Sequence, residues 1–290
     1  MSHWKHKVAV ITGAGSGIGL GLARYAAAQG MHVVAADIDA RRLEFLKEAL
    51  EAKQQSIITV ATDVSNPDAI EDLAKLVFDR YGKVNLLFNN AGVLVDGKSW
   101  ERSVEDWQWS INVNIMGVVN GIRSFVPRML AQNEAGRVIN TSSIGGLLGG
   151  GTFMGPYQGT KHCVTAISET LYSELALESA PITASVLCPY EVATDIWDSA
   201  ARLRTKEQRD QLGSEEEQQF HNTVADNVAK STTPDEFAAK VFAGIDADKF
   251  WLLPQPDFKP MFQLRVESIL NESNPLSTSE IMSIMSRAAS

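Results

Sequence analysis

Two cysteines in 290 residues, Cys163 and Cys188, are too few for a disulfide framework. Neither sits in a His/Cys/Asp cluster with metal-ligand spacing, so no metal is expected. Both read as buried thiols, which makes the cytoplasm the expected compartment. No apolar run approaches the ~18 residues of a membrane span. The opening Met1-Ser-His-Trp-Lys-His-Lys7 lacks the apolar core of a signal peptide. Basic residues are outnumbered, 26 against 35 acidic, for a net charge of −9, which argues against nucleic acid or an anionic membrane as partner. No internal repeat is present. What is there, 44% hydrophobic and 21% charged residues, suits a soluble globule with a sizeable core.

Strand and helix patterns alternate along the chain. Short β-branched runs predict strands near 7–12, 32–37, 56–61, 84–89, 136–141, 182–188 and 249–253. Helical stretches are expected near 17–29, 40–53, 67–81, 104–130, 157–179 and 234–245. Such alternation, with strands apolar on both faces, implies an α/β doubly wound parallel sheet that binds ligands at its carboxyl edge. Thr233-Pro-Asp-Glu236 reads as a capping box with proline in the first turn.

The first strand runs into Gly13-Ala-Gly-Ser16-Gly17-Ile18-Gly19 and then a helix. Glycines there let the backbone approach a pyrophosphate, and the helix N-terminus offers free N–H groups. The second strand ends at Asp37, where a carboxylate suits the two ribose hydroxyls of NAD and repels a 2′-phosphate. Ser16 stands where a basic residue would hold that phosphate. Arg41 and Arg42 follow and read as the solvated face of the next helix. NAD is therefore expected over NADP.

Tyr157 and Lys161 lie four residues apart and so share a helix face. A tyrosine of pKa about 10 is a poor base at neutral pH, and lowering it to about 7 takes roughly 4 kcal/mol of differential stabilisation. A lysine together with a positively charged nicotinamide ring is expected to supply this.

With these residues the chain resembles the short-chain dehydrogenase/reductase family over about residues 5–255. The resemblance implies a single doubly wound Rossmann-type sheet of about seven strands, residues 1–256, carrying a substrate lid near 190–232. Residues 257–290 would be a C-terminal extension rather than a separate domain. Asp63 and Val64 match the family's adenine contact, and Asn90-Ala91-Gly92 its stabilising motif beside the cofactor. Asn114 and Ser143 fall on its catalytic asparagine and serine, with Tyr157 and Lys161 completing the set. Ser142 remains an alternative, because the spacing to Tyr157 is one residue longer than expected, through Gly149-Gly150-Gly151. Pro189, Val192 and Thr194 match the nicotinamide end, but Tyr190 replaces the usual glycine.

The lid span carries Arg202, Arg204, Lys206, Arg209 and Glu215–Glu217. Leu148, Phe153, Tyr190 and Trp197, with Leu147 and Met154, are expected to wall an apolar pocket for a bulky alcohol or ketone. Phe125–Met129, the Ser-Ser-x-Gly-Gly stretch and the tail look like bacterial dehydrogenases that oxidise benzylic alcohols of lignin-type aryl ethers. The resemblance implies that Tyr157 takes the alcohol proton, Ser143 holds the oxygen, and Asn114 fixes a water leading from Lys161 to solvent. An NADPH-dependent carbonyl reductase and a non-catalytic dinucleotide sensor are the competing readings. Family members commonly pair two long helices across a two-fold axis, and Val118, Val119, Ile122, Phe125 and Val126 with Val164, Ile167, Leu171, Leu175 and Leu177 permit it here, so a homodimer or homotetramer is expected.

Overall fold

The computed structural model describes residues 2–203, 213–277, 280–281 and 283–284. Every residue of β1 (Val8–Thr12) is buried, as a strand covered on both faces requires. It lies inside a seven-stranded sheet of order β3-β2-β1-β4-β5-β6-β7, with every pairing parallel. The strands are β2 (His32–Asp37), β3 (Ile57–Ala61), β4 (Leu86–Asn89), β5 (Gly136–Thr141), β6 (Ile182–Leu187) and β7 (Trp251–Leu252). Val10 pairs with Val34 on one side and Leu87 on the other. The chain builds outward from β1 to β3 and then returns to β4 on β1's other edge, which opens a crevice at the carboxyl ends.

Side chains of β1 alternate between two cores. Ala9 and Ile11 join Phe88, Leu22, Leu43, Phe237 and Phe242, covered by α1 (Gly17–Ala28), α2 (Ala40–Glu51) and α9 (Pro234–Asp246). Val8 and Val10 join Ile70, Leu73, Phe125 and Leu171, under α3 (Pro67–Tyr81), α5 (Gly117–Ala131) and α6 (Gly155–Leu175). Each such large side chain contributes about 1.5–3 kcal/mol on burial. The helix ends carry their own stop signals. Asn66 caps α3, which closes at Gly82 with φ 68°. Thr233 and Glu236 form the expected capping box on α9. No helix among the described residues is long and apolar enough to cross a membrane.

The structure refines the sequence reading in four places. The single helix expected over 104–130 is α4 (Val104–Ile111), a π turn at Asn112–Met116, then α5. The wide turn aims Asn114 inward, where the backbone of Val93 satisfies its amide. β7 is shorter than 249–253 because the Lys249 carbonyl accepts from the Ser185 and Arg137 side chains instead of a ladder partner. Between Asp195 and Thr232 lie a short 3-10 turn, α7 (Ser199–Leu203) and α8 (Glu215–Ala229); Arg204, Lys206 and Arg209 fall outside the described residues. Finally, the apolar surplus on α5 and α6 is smaller than the sequence suggests. The chain alone buries Val118, Phe125, Val126, Val164, Leu171 and Leu175, and Leu177 is the one of the set that stands open, at 85%.

The C-terminal extension turns back onto the sheet. Phe258, Met261 of α10 (Lys259–Leu270) and Ile281 cluster with Val186 and Cys188 at the end of β6. Burial pushes the Cys188 thiol up to about 12 and raises that of Cys163; Cys188 is buried as expected, whereas Cys163 is only partly covered.

Candidate active site

A cavity of about 830 Å³ opens at the carboxyl ends of the strands. At one end the loop from β1 to α1 bends through Gly13 (φ 67°) and Gly17 (φ 50°). A Cβ on Gly19 would stand 2.1 Å from the Gly13 carbonyl oxygen, so this turn admits no side chain there. Gly19 supports the loop from beneath, whereas Gly13, Ser16, Gly17 and Ile18 line the cavity. The first turn of α1 carries no acidic residue, and Ser16 makes no side-chain cap bond. Its N–H groups are thus left for an anion. The 89–92 stretch is laced to β1: Asn90 Nδ2 donates to the Thr12 carbonyl at 3.0 Å, and Thr12 Oγ1 accepts from the N–H groups of Asn90 and Ala91 at 2.9 and 3.1 Å. Asp37 closes this end, accepting from Gly15 N–H at 2.8 Å and Asp39 N–H at 2.9 Å. Asp63, Val64, Gly92, Pro189, Val192 and Thr194 share the wall. The residues present fit a dinucleotide.

Arg42 is not a purely solvated residue. It lines the same wall, with Nη1 2.8 Å from Asp195 Oδ2, while Arg41 stays exposed.

At the other end, α6 presents Tyr157 and, one turn on, the buried Lys161. Lys161 Nζ donates to the Thr141 carbonyl at 2.9 Å and lies 5.7 Å from the centre of the Tyr157 ring. Burial pushes the ammonium down to about 8. Burial also pushes the phenol up, and the Ser143 hydrogen bond pulls it only partly back. In the protein without cofactor, desolvation therefore outweighs that bond and favours the neutral phenol. Asn114 is buried and does not itself line the cavity; it holds Val93, which does, donating to the Val93 carbonyl at 2.9 Å and Thr160 Oγ1 at 3.0 Å, and accepting from Val93 N–H at 2.8 Å.

The two serines are separated by what they hold. Ser142 Oγ donates to the Lys161 carbonyl at 2.8 Å and pairs with Thr165 at 2.8 Å, tying α6 to β5. Ser143 bonds the phenol and Gly145 N–H. Ser143→Ala is expected to cut kcat by more than about tenfold without moving the melting temperature. Ser142→Ala should lower the melting temperature and spare kcat, and the reverse pattern would reassign the serine.

Leu148, Tyr190 and Trp197 line the cavity. Phe153 does not; at φ 64° its ring packs edge-on to Phe220 at 5.4 Å and supports α8. The sequence reading missed Phe220, Val224 and Val228, which α8 turns into the cavity. Their four-residue spacing was a legible signal. It also missed Met261 and Ile281, which reach the cavity from the C-terminal extension and carried no local signal. The helix α8 is pinned by buried Glu217, which accepts from Lys98 N–H, and by His221, bonded to Asp96 at 2.8 Å.

A glycine-cradled dinucleotide site joined to a Tyr-Lys-Ser group matches what the family comparison finds: residues 7–205 match the family described as short chain dehydrogenase. The chain belongs to that family. Among solved structures it is similar to a short-chain dehydrogenase/reductase from Burkholderia phymatum in complex with NAD, at 38% identity and TM-score 0.90, covering 96% of this chain and 99% of the other. Among curated proteins it is 28% identical to a CLA biosynthesis dehydrogenase/reductase of Lactiplantibacillus plantarum, over 95% of this chain and 97% of the relative. A C alpha-dehydrogenase of Sphingobium is also 28% identical, over 95% of this chain and 89% of the relative.

Proposed function

We propose that the protein is an NAD-dependent dehydrogenase of bulky, apolar or aromatic secondary alcohols. The observation that carries this is the meeting of Tyr157, Lys161 and Ser143 on one cavity wall with the glycine loop and Asp37. Tyr157 Oη takes the hydroxyl proton of the alcohol, and Ser143 Oγ holds the oxygen as charge develops on it. Gly13, Ser16, Gly17, Ile18 and Asp37 would hold NAD, which would supply the hydride acceptor and a positively charged ring. Lys161 adds its own positive charge and, through Asn114, a proton exit. Asp37 and Ser16 favour NAD over NADP, and the Burkholderia phymatum relative's NAD complex supports this.

Around the reacting end stand Leu148, Met154, Trp197, Phe220, Met261 and Ile281. Among the described lining residues the cations are Lys161, Arg42 and Arg202, and both arginines are paired with Asp195. With both arginines committed to Asp195, the described lining favours a neutral alcohol over one that carries a phosphate or carboxylate. The Sphingobium relative is likewise named a dehydrogenase, of a C alpha position. A panel of aryl secondary alcohols assayed with each cofactor tests this. We expect kcat/KM with NAD to exceed that with NADP, and Asp37→Ala to erase most of the gap. Equal values for the wild type would overturn the assignment.

We place the enzyme in the cytosol on its free thiols, and as a homodimer or homotetramer paired through α5 and α6. Val119, Ile122 and Ile167 remain only partly covered on those helices. Light scattering at micromolar concentration should give at least twice the 31.6 kDa of one chain; a mass of one chain contradicts the assembly.

A further inference from the structure

At the Asp37 end of the cavity, one carboxylate oxygen serves two guanidinia. Asp195 Oδ2 accepts from Arg42 Nη1 at 2.8 Å and from Arg202 Nη1. Arg42 comes from α2 and Arg202 from α7, so the carboxylate joins the region after β6 to the helix that follows Asp37. Arg42 Nε also lies 3.4 Å from Asp39 Oδ2. All five residues, Asp37, Asp39, Arg42, Asp195 and Arg202, line the one cavity. Asp37 and Asp39 are near enough to act electrostatically on Arg202. Among the described residues, then, three carboxylates face two guanidinia, and the balance is negative by one charge. Without Asp195 the charges cancel, and two planar five-donor forks lose the acceptor that holds them. A 2′-phosphate is the ligand such forks bind best.

We propose that Asp195 is a second determinant of cofactor choice: by occupying Arg42 and Arg202 it denies a 2′-phosphate the guanidinia otherwise placed to bind it. Asp37 repels that phosphate, and Asp195 withholds its partners. The inference rests on the NAD reading given above, and the test separates the two. Cofactor fragments are titrated calorimetrically into the full-length enzyme: 5′-AMP, and 2′,5′-ADP, which adds only the 2′-phosphate. Wild type should bind 5′-AMP more tightly. Asp195→Asn should tighten 2′,5′-ADP about tenfold, the size of one charge-assisted hydrogen bond, and leave 5′-AMP within about a factor of two. Adding Arg42→Gln to Asp195→Asn should return 2′,5′-ADP to its starting affinity. An unchanged affinity for 2′,5′-ADP in Asp195→Asn, or a parallel change for both nucleotides, overturns the proposal and leaves Asp195 a tether. Wild type that favours 2′,5′-ADP would strike the NAD reading, and the Asp195→Asn increment would still decide this one.

Discussion

Tyr157→Phe is expected to lower kcat by at least about 100-fold while NAD still binds within about a factor of two of wild type. The substitution removes one oxygen and keeps the ring that rests beside Lys161. What is lost is the proton acceptor and the bond to Ser143. The backbone of α6 and the Lys161–Thr141 bond stay, so the site keeps its shape. Cofactor affinity is read by calorimetry and turnover by NADH absorbance. A variant that retains more than about one hundredth of wild-type kcat would show that some other group takes the proton, since a general base contributes about 10²–10⁴-fold.

Lys161→Met should move activity and stability in opposite directions. Methionine fills nearly the same volume without charge. Turnover should fall by about 100-fold or more, because the charge of the lysine no longer favours the phenolate. The cofactor-free protein, however, should become harder to unfold. The lysine is 2% exposed and its pKa drops from 10.5 to about 8, a burial cost of roughly 3 kcal/mol. The lost hydrogen bond to Thr141 returns about 1 kcal/mol of that. A net gain of roughly 2 kcal/mol at pH 7 is the expected result. The pH dependence fixes the cause. Below about pH 8 the amine is charged in both states and the cost is full. Between about 8 and 10.5 the unfolded chain binds the extra proton, so wild-type stability rises with pH, and above 10.5 the cost is gone. Denaturant melts of both proteins at pH 7 and 10 should therefore show a gap that narrows with pH. A variant less stable than wild type at pH 7 would refute the burial argument.

The sheet was readable because strands covered on both faces leave unbroken apolar runs such as Val8–Ile11 and Leu86–Phe88. The glycine loop and Asp37 were readable for a similar reason: this end of the cavity is built from backbone turns, and turns leave glycine and aspartate at fixed spacings. Tyr157 and Lys161 were legible as one turn of one helix. Asn114 could be picked from its motif, but not the π turn that aims it, since a wider helical turn has no composition of its own. Phe153 was misjudged because a positive φ reverses where a side chain points, and nothing nearby announces that angle. Arg42 was read as solvated because its partner, Asp195, lies 153 residues further on. The same distance problem hid Met261 and Ile281, whose place depends on how the tail folds back.

That return of the tail divides the labour along the chain. The groups assigned to the proton and the dinucleotide come no later than Arg202, whereas Phe220, Val224, Val228, Met261 and Ile281 come after it and line the apolar end. Selection can rewrite the late segment without touching the early one. New substrates become accessible through substitutions that leave the early segment intact, and a library confined to those five positions samples substrate preference on a fixed reaction.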